Sequence, residues 1–142
     1  MNVPAKRLQT AEQLLCDPGF VQQLGVALPK HMTPDRMARI ALTQLRKNPK
    51  LAQCTAASLG ACVLQAAAMG LEPDGRRAHL IPRDNRKAGV TECTLLIDYK
   101  GLVELAIRNG DLASIHADVV CENDDFSYNP GEIENHRIDL RK

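Results

Sequence analysis

The chain has 142 residues, of which 44% are hydrophobic and 25% are charged. These values are typical of a globular domain with its own core, and they exclude a wholly disordered chain. The net charge of +1 conceals an uneven distribution: residues 1–110 carry 15 Lys and Arg against 9 Asp and Glu, and residues 111–142 carry 3 against 8. A basic first part with an acidic end favours an anionic partner for the first part.

The cysteines number five, an odd count, and none of them has CxxC spacing. The sequence shows no signal peptide and no apolar run near eighteen residues, so we predict a reduced, cytoplasmic protein. We expect cysteines at inward helical or strand positions to serve as small core hydrophobes. A metal site that combines His79 and His116 with Cys93 or Cys121 is disfavoured, because no local ligand spacing supports it.

Helices are predicted through the first half of the chain. After a loosely ordered start, two short helical pieces are separated by a break at residues 17–19. Thr33 and Pro34 form a helix start, an N-cap followed by proline, and the helix extends to about Lys47. The next helix is capped by Thr55 or Ser58 and runs to about residue 69, where Gly70 and Pro73 end it.

The helix that begins at Pro34 carries a basic stripe opposite its apolar face, made of Arg36, Arg39, Arg46 and Lys47. Such a stripe is commonly a solvated face. Only Asp35 could pair with it inside the helix, which favours the alternative that the stripe contacts phosphates.

Two strands are predicted next, over Arg77–Ile81 and Cys93–Asp98, joined by a long, flexible loop at residues 82–90. The loop carries three cations: Arg83, Arg86 and Lys87. A helix follows from about residue 99 to Gly110, and its inward residues are predicted to be Leu102, Val103, Leu105 and Ala106. A third strand is predicted at residues 113–121 and a fourth from residue 124, turning at residues 129–131.

This order of elements predicts an α+β fold, with N-terminal helices packed on a small antiparallel hairpin or sheet that has an inserted helix. Aromatic residues are few, so the core is expected to be aliphatic, with Phe126 in it. Tyr99 is expected either to stack on a base or to pack in the core.

Catalytic motifs are missing from the sequence. It contains no GxxxxGK[ST], GxSxG, HExxH or GxGxxG pattern. Glu122, Asp124 and Asp125 could hold a divalent ion, but adjacent acids near a turn are more commonly solvated loop charge. We therefore predict a binding protein that is not an enzyme and that needs no cofactor.

Four segments carry a family resemblance: residues 28–54, 65–82, 95–110 and 119–136. Together they resemble the RecT family of phage single-strand annealing proteins, in order, over about residues 19–136. The resemblance implies ATP-independent binding of single-stranded DNA, annealing of complementary strands, homo-oligomeric rings or filaments, and a partner 5′→3′ exonuclease that exposes the single strand.

The matching positions fall in four motifs. The helix-ending motif has Gly70, Leu71, Glu72 and Pro73, and the first strand has Ala78, Leu80, Ile81 and Pro82. The tyrosine–basic–glycine segment has Tyr99, Lys100, Gly101, Arg108 and Gly110, and the aspartate–aromatic segment has Asp125, Phe126 and Gly131. Two positions depart from the family: Arg83 stands where an aromatic is frequent, and Asp98 where glycine is frequent.

The resemblance also predicts a domain division. Residues 1–18 are expected to be a loosely ordered segment, residues 19–136 a partial RecT-like annealing domain, and residues 137–142 a truncated tail, because family members continue with further strands and a basic helix. The chain is thus expected to be an incomplete annealing core.

An annealing protein must hold a strand by its backbone and leave the base edges free, which Lys and Arg along a groove achieve. The predicted DNA contacts are Lys100, Arg76, Arg77, Arg83, Arg86, Lys87, Arg108 and Tyr99, with Arg36 and Arg39 as second choices. The alternative is a subunit-interaction module that joins or caps an oligomer without gripping DNA, and the acidic last third favours it slightly.

Overall fold

A computed structural model of the chain describes residues 10–110 and 112–138. These residues form two compact units, which meet in sequence between residues 111 and 112. Residues 1–9 of the predicted loose start and residues 139–142 of the predicted tail lie outside the described residues. In the described ranges, no helix has the length and apolarity to cross a membrane.

The first unit begins with four helices: α1 (Ala11–Leu15), α2 (Pro18–Ala27), α3 (Pro34–Lys47) and α4 (Ala56–Ala68). The predicted break is confirmed, because Asp17 caps α2 by accepting the N–H of Phe20 at 3.0 Å. The bounds of α3 are confirmed as well. Thr55, rather than Ser58, caps α4, and Gly70 follows that helix with φ +63° in the left-handed region.

The core of this unit is aliphatic, as predicted. Fully buried side chains from the helices pack with the short 3₁₀ turn Leu51–Gln53 and with one face of a β-hairpin. Three of the five cysteines lie in this core: Cys54, Cys62 and Cys93. Cys16 and Cys121 are exposed.

The hairpin consists of β1 (Ala78–Asn85) and β2 (Val90–Ile97), paired antiparallel from Ala78 opposite Ile97 to Asn85 opposite Val90. The pairing is confirmed, but the predicted long loop is wrong. The strands continue to a four-residue connection at residues 86–89, where Gly89 takes φ +66°. Arg83 therefore lies in β1 and not on a flexible loop. The reason is that Asn85 ties the turn together by accepting the N–H groups of Ala88 and Gly89.

Helix α5 (Tyr99–Arg108) follows β2 directly, and its orientation differs from the prediction. Its only fully buried residue is Gly101, whereas Leu102 is 55% exposed. The helix lies on the first unit through its polar side, because Glu104 and Arg108 bond to groups of the unit. The predicted inward face is thus wrong for Leu102, whereas Leu105 lies on the side of Gly101 and is partly buried.

The second unit contains the antiparallel pair β3 (Asp125–Asn129) and β4 (Glu132–Arg137). The predicted turn at residues 129–131 is confirmed, and β4 lies where no pattern was recognised. The predicted strand at residues 113–121 is wrong: this segment is exposed, and alternation alone does not make a strand where no neighbouring strand pairs with it. Phe126 is 39% exposed and is not a core residue. The α+β class is confirmed.

Candidate nucleic-acid interface

Five charged side chains in the first unit, called the charged network below, alternate in sign: Arg36, Glu72, Arg77, Glu104 and Arg108. Glu72 accepts hydrogen bonds from Arg36 at 2.5 and 3.1 Å and lies 3.9 Å from Arg77. Glu104 lies 2.5 Å from Arg77 and 2.5 Å from Arg108. The network connects α3, the segment between α4 and β1, and α5.

Three predicted DNA contacts, Arg36, Arg77 and Arg108, belong to this network and line a cavity of about 330 Å³ with its two glutamates. The hydrogen bond to Glu72 raises the pKa of Arg36. Arg108 also donates to the carbonyl oxygens of Met69 and Gly70, both at 3.1 Å. These three guanidinium groups are thus bonded to acceptors of the protein itself.

Two members of the stripe on α3 have acidic partners outside that helix. Glu72 binds Arg36, and Glu12 lies 3.6 Å from Arg46. Both partners come from other elements, so the spacing inside α3 could not reveal them. By contrast, Arg39 is exposed and has no ion pair among the described residues.

Arg76 is exposed on the turn between α4 and β1. The carboxylate of Asp74 accepts the backbone N–H groups of Arg76 and Arg77 at 2.8 and 3.0 Å. Partial burial opposes ionisation of this carboxyl, but these N–H groups and the nearby Arg77 lower the pKa of Asp74. The turn is therefore fixed through its backbone, which leaves the Arg76 side chain directed to solvent.

A basic cluster, called the hairpin tip below, comprises Arg83, Arg86 and Lys87. All three are exposed and line one shallow surface depression. Two acids lie in the same depression, and each is engaged: Asp84 accepts from Thr91 at 3.0 Å and Glu92 from Asn85 at 3.1 Å. The three cations form no ion pair with the described residues, so they are available to an anionic ligand.

The start of α5 holds the last predicted pair, Tyr99 and Lys100. Asp98 caps this helix by accepting the N–H of Lys100 at 3.3 Å, and its other oxygen lies 3.2 Å from His79 Nε2. The bond from the Lys100 N–H, followed by that from His79, lowers the pKa of Asp98. Lys100 Nζ lies 5.7 Å from the Tyr99 ring centroid, and the ring is 68% exposed. Tyr99 is thus not a core residue.

No group of three or more His, Cys, Asp or Glu in the described ranges could hold a metal ion. Burial raises the pKa of Cys54, and the hydrogen bond with Cys62 raises that of Cys93. Neutral buried thiols of this kind serve as core side chains, as predicted for these positions.

Glu72 and Glu104 are the residues that sequence reasoning missed. Glu104 could have been found, because it stands four residues before Arg108 on one helix, the spacing of an ion pair. Its second partner, Arg77, and the partnership of Glu72 with Arg36 depend on how the elements pack.

The fold and this site define an α+β protein with exposed cations grouped on a hairpin and a helix start. Residues 35–141 match the RecT family. Protein RecT of Escherichia coli (strain K12) is 42% identical over 118 residues, which is 80% of this chain and 44% of that protein. No solved structure matches the chain significantly. The chain belongs to the RecT family, and it spans less than half the length of the curated relative it matches.

Proposed function

We propose that the chain binds single-stranded DNA through the phosphate backbone and anneals complementary strands without ATP, in phage-type homologous recombination. One observation carries the proposal beyond family membership. Six predicted contact residues are exposed and form no ion pair with any described residue. They are Arg39, Arg76, Arg83, Arg86, Lys87 and Lys100.

In this proposal, the hairpin tip supplies the main contacts with the DNA phosphates. Lys and Arg side chains bind phosphates without reading bases, and the affinity comes from released counterions. Base edges then stay free to pair with a second strand. Lys100 adds a contact at the start of α5, where Tyr99 offers an exposed ring on which a base can stack.

The proposal also covers the partners of the chain. Copies of the chain assemble as rings or filaments, and a 5′→3′ exonuclease supplies the single strand. The relative is more than twice as long as the matched segment, so the activity of this chain requires a direct test.

The test of the grip is fluorescence anisotropy of the chain with a labelled oligo-dT of about forty nucleotides, titrated across salt. The logarithm of the association constant should fall linearly with the logarithm of the salt concentration. The variant Arg83→Ala/Arg86→Ala/Lys87→Ala should flatten that slope by about 0.7 per lost contact, or about 2 in all.

The matched control is Lys30→Ala/Lys47→Ala/Lys50→Ala, which removes three exposed cations outside the proposed contacts. Its slope should stay within about 0.7 of the wild-type value, one contact's worth. Equal slopes for both triple variants would show that the hairpin tip does not contact the DNA. A folded chain that neither binds the oligonucleotide nor speeds pairing of two labelled complementary strands without ATP would refute the proposed function.

A further inference from the structure

Helix α5 is attached by its polar side and leaves an apolar side open. At 100° per residue, Gly101, Glu104 and Arg108 lie on one side, and this side contacts the first unit. The opposite side, called the α5 stripe below, consists of Leu102, Val103, Ala106 and Ile107. Leu102 and Ile107 are 55% and 42% exposed, and no member of the stripe belongs to the hydrophobic core of the unit.

A second open apolar face lies on the β3–β4 pair. Phe126 stands opposite His136 and Tyr128 opposite Ile133, so these four side chains share one side of the sheet, called the hairpin face below. The Phe126 and His136 rings meet edge to face at 5.6 Å. Tyr128 and Ile133 are 60% and 63% exposed. An isolated two-stranded hairpin is at best marginally stable in water, so this face requires a partner.

The two faces belong to units of opposite net charge. Residues 112–138 contain six Asp and Glu against the single Arg137. Residues 10–110 contain 13 Lys and Arg against 9 Asp and Glu, and Lys100 borders the α5 stripe. Apolar surfaces carried by units of opposite net charge favour a contact, because long-range attraction adds to apolar burial.

We propose that the hairpin face of one copy docks on the α5 stripe of a second copy. The inference rests on the proposed function, in which copies of the chain assemble on a single strand. Each face is exposed in the single chain, and a second copy offers the other face on a unit of opposite net charge. Tyr99 precedes the stripe and stays available to DNA.

The two faces differ, so the contact is heterologous: each copy offers one stripe and one hairpin face, and association continues from copy to copy. Sedimentation velocity should therefore show a series of species whose size grows with protein concentration. A single closed dimer that does not grow would contradict the proposal.

Cross-linking between chains of different mass tests the contact directly. Both batches carry Cys16→Ser and Cys121→Ser, which remove the exposed thiols. One batch adds Leu102→Cys and the other Ile133→Cys, and a short bis-maleimide is applied to the mixture without DNA. We expect the mixed dimer to be the main product. In the control, Val26→Cys, on a residue that is 87% exposed on α2, replaces Leu102→Cys and should give at least tenfold less product.

Each alternative has its own outcome. If Leu102→Cys and Ile133→Cys placed in one chain cross-link within the monomer and not between chains, the hairpin covers its own helix and the proposal fails. Equal yields from Leu102→Cys and Val26→Cys mean random collision and also overturn it. Oligo-dT anisotropy on the same variants separates the two proposals. DNA binding without the cross-link refutes only this contact. The cross-link without DNA binding refutes only the proposed function.

Discussion

Asp98 connects two elements through one carboxylate. It accepts the N–H of Lys100 at the start of α5, and it accepts from the imidazole of His79 on β1. Both bonds favour the ionised carboxylate and keep the pKa of Asp98 below its usual value. The residue departs from the glycine that is frequent in the family, and the structure gives it a capping role in place of a phosphate contact.

The depressed pKa of Asp98 predicts a pH-dependent contribution to stability. Because the folded-state pKa lies below the unfolded-state value of about 3.9, the contribution is fully present above that pH and is lost as the pH falls through the folded pKa. Asp98→Asn keeps an oxygen that can cap the helix but removes the charge. Urea unfolding should therefore show the variant below wild type at pH 7, and the two should converge toward pH 3.

Thr55→Ala is the control for this experiment. It removes the cap of α4, a bond of 3.3 Å to the N–H of Ser58, without removing a titratable group. Its loss of stability, about 1 kcal/mol, should be the same at both pH values. A gap between Asp98→Asn and wild type that persists unchanged to pH 3 would show that the Asp98 charge is not its source.

At the scale of elements, local signals located two helix ends correctly. Thr33 with Pro34 predicted the start of α3, and Gly70 with Pro73 predicted the end of α4. The first signal works because proline has the backbone angle of a first helical position, and the second because a left-handed glycine lets the chain satisfy the last helical carbonyl groups. The pairing of β1 with β2 was predicted from two strand-like runs that are close together in the sequence.

The orientation of α5 depends on polar contacts between residues that are far apart in the sequence. The apolar pattern of α5 predicted that Leu102 and Leu105 face inward. Arg77 and the carbonyl oxygens of Met69 and Gly70 instead bind Glu104 and Arg108, and Leu102 is 55% exposed. The same contacts give Arg77 and Arg108 acceptors within the protein itself. Residues separated by about 30 or more positions form these bonds, and no local spacing reports them.

The close approach of α5 to the first unit depends on Gly101. A Cβ added there would lie under 3.0 Å from the carbonyl oxygen of Arg77, whose position is fixed because it accepts the N–H of Asp98 at 2.9 Å. Gly101→Ala should therefore displace α5 and lower the free energy of unfolding by about 2 kcal/mol, measured by urea denaturation. Amide exchange in α5 should accelerate more than exchange in α4.

Gly25→Ala is the matched control, because it also adds one methyl to a helix. Its Cβ would meet only Pro34, at 3.5 Å from Cγ and 3.9 Å from Cβ, which are ordinary contacts, so the helix propensity of alanine should raise stability by up to about 1 kcal/mol. If Gly101→Ala were as stable as Gly25→Ala, the packing of α5 against Arg77 would be wrong.

At the scale of the whole molecule, the charge is divided between the two units. The second unit is acidic, and a phosphate backbone that approaches the basic first unit also meets this repulsion. Asp118 and Glu122 are exposed residues of the segment before β3, and neither belongs to the hairpin face. They allow the field of the second unit to be changed without changing a proposed contact.

Asp118→Asn/Glu122→Gln raises the net charge by two, and we expect faster association with oligo-dT, by about twofold to fivefold at 10 mM salt. The screening length falls from about 30 Å at 0.01 M to about 10 Å at 0.1 M, so the gain should shrink as salt is added. Stopped-flow anisotropy measures the rate at each salt concentration, and Ser114→Ala/Asn123→Ala, two neutral changes in the same exposed segment, should leave it unchanged. A gain of the same size at high salt would mean that the acidic side chains touch the DNA path directly, because a long-range field cannot act across so short a screening length.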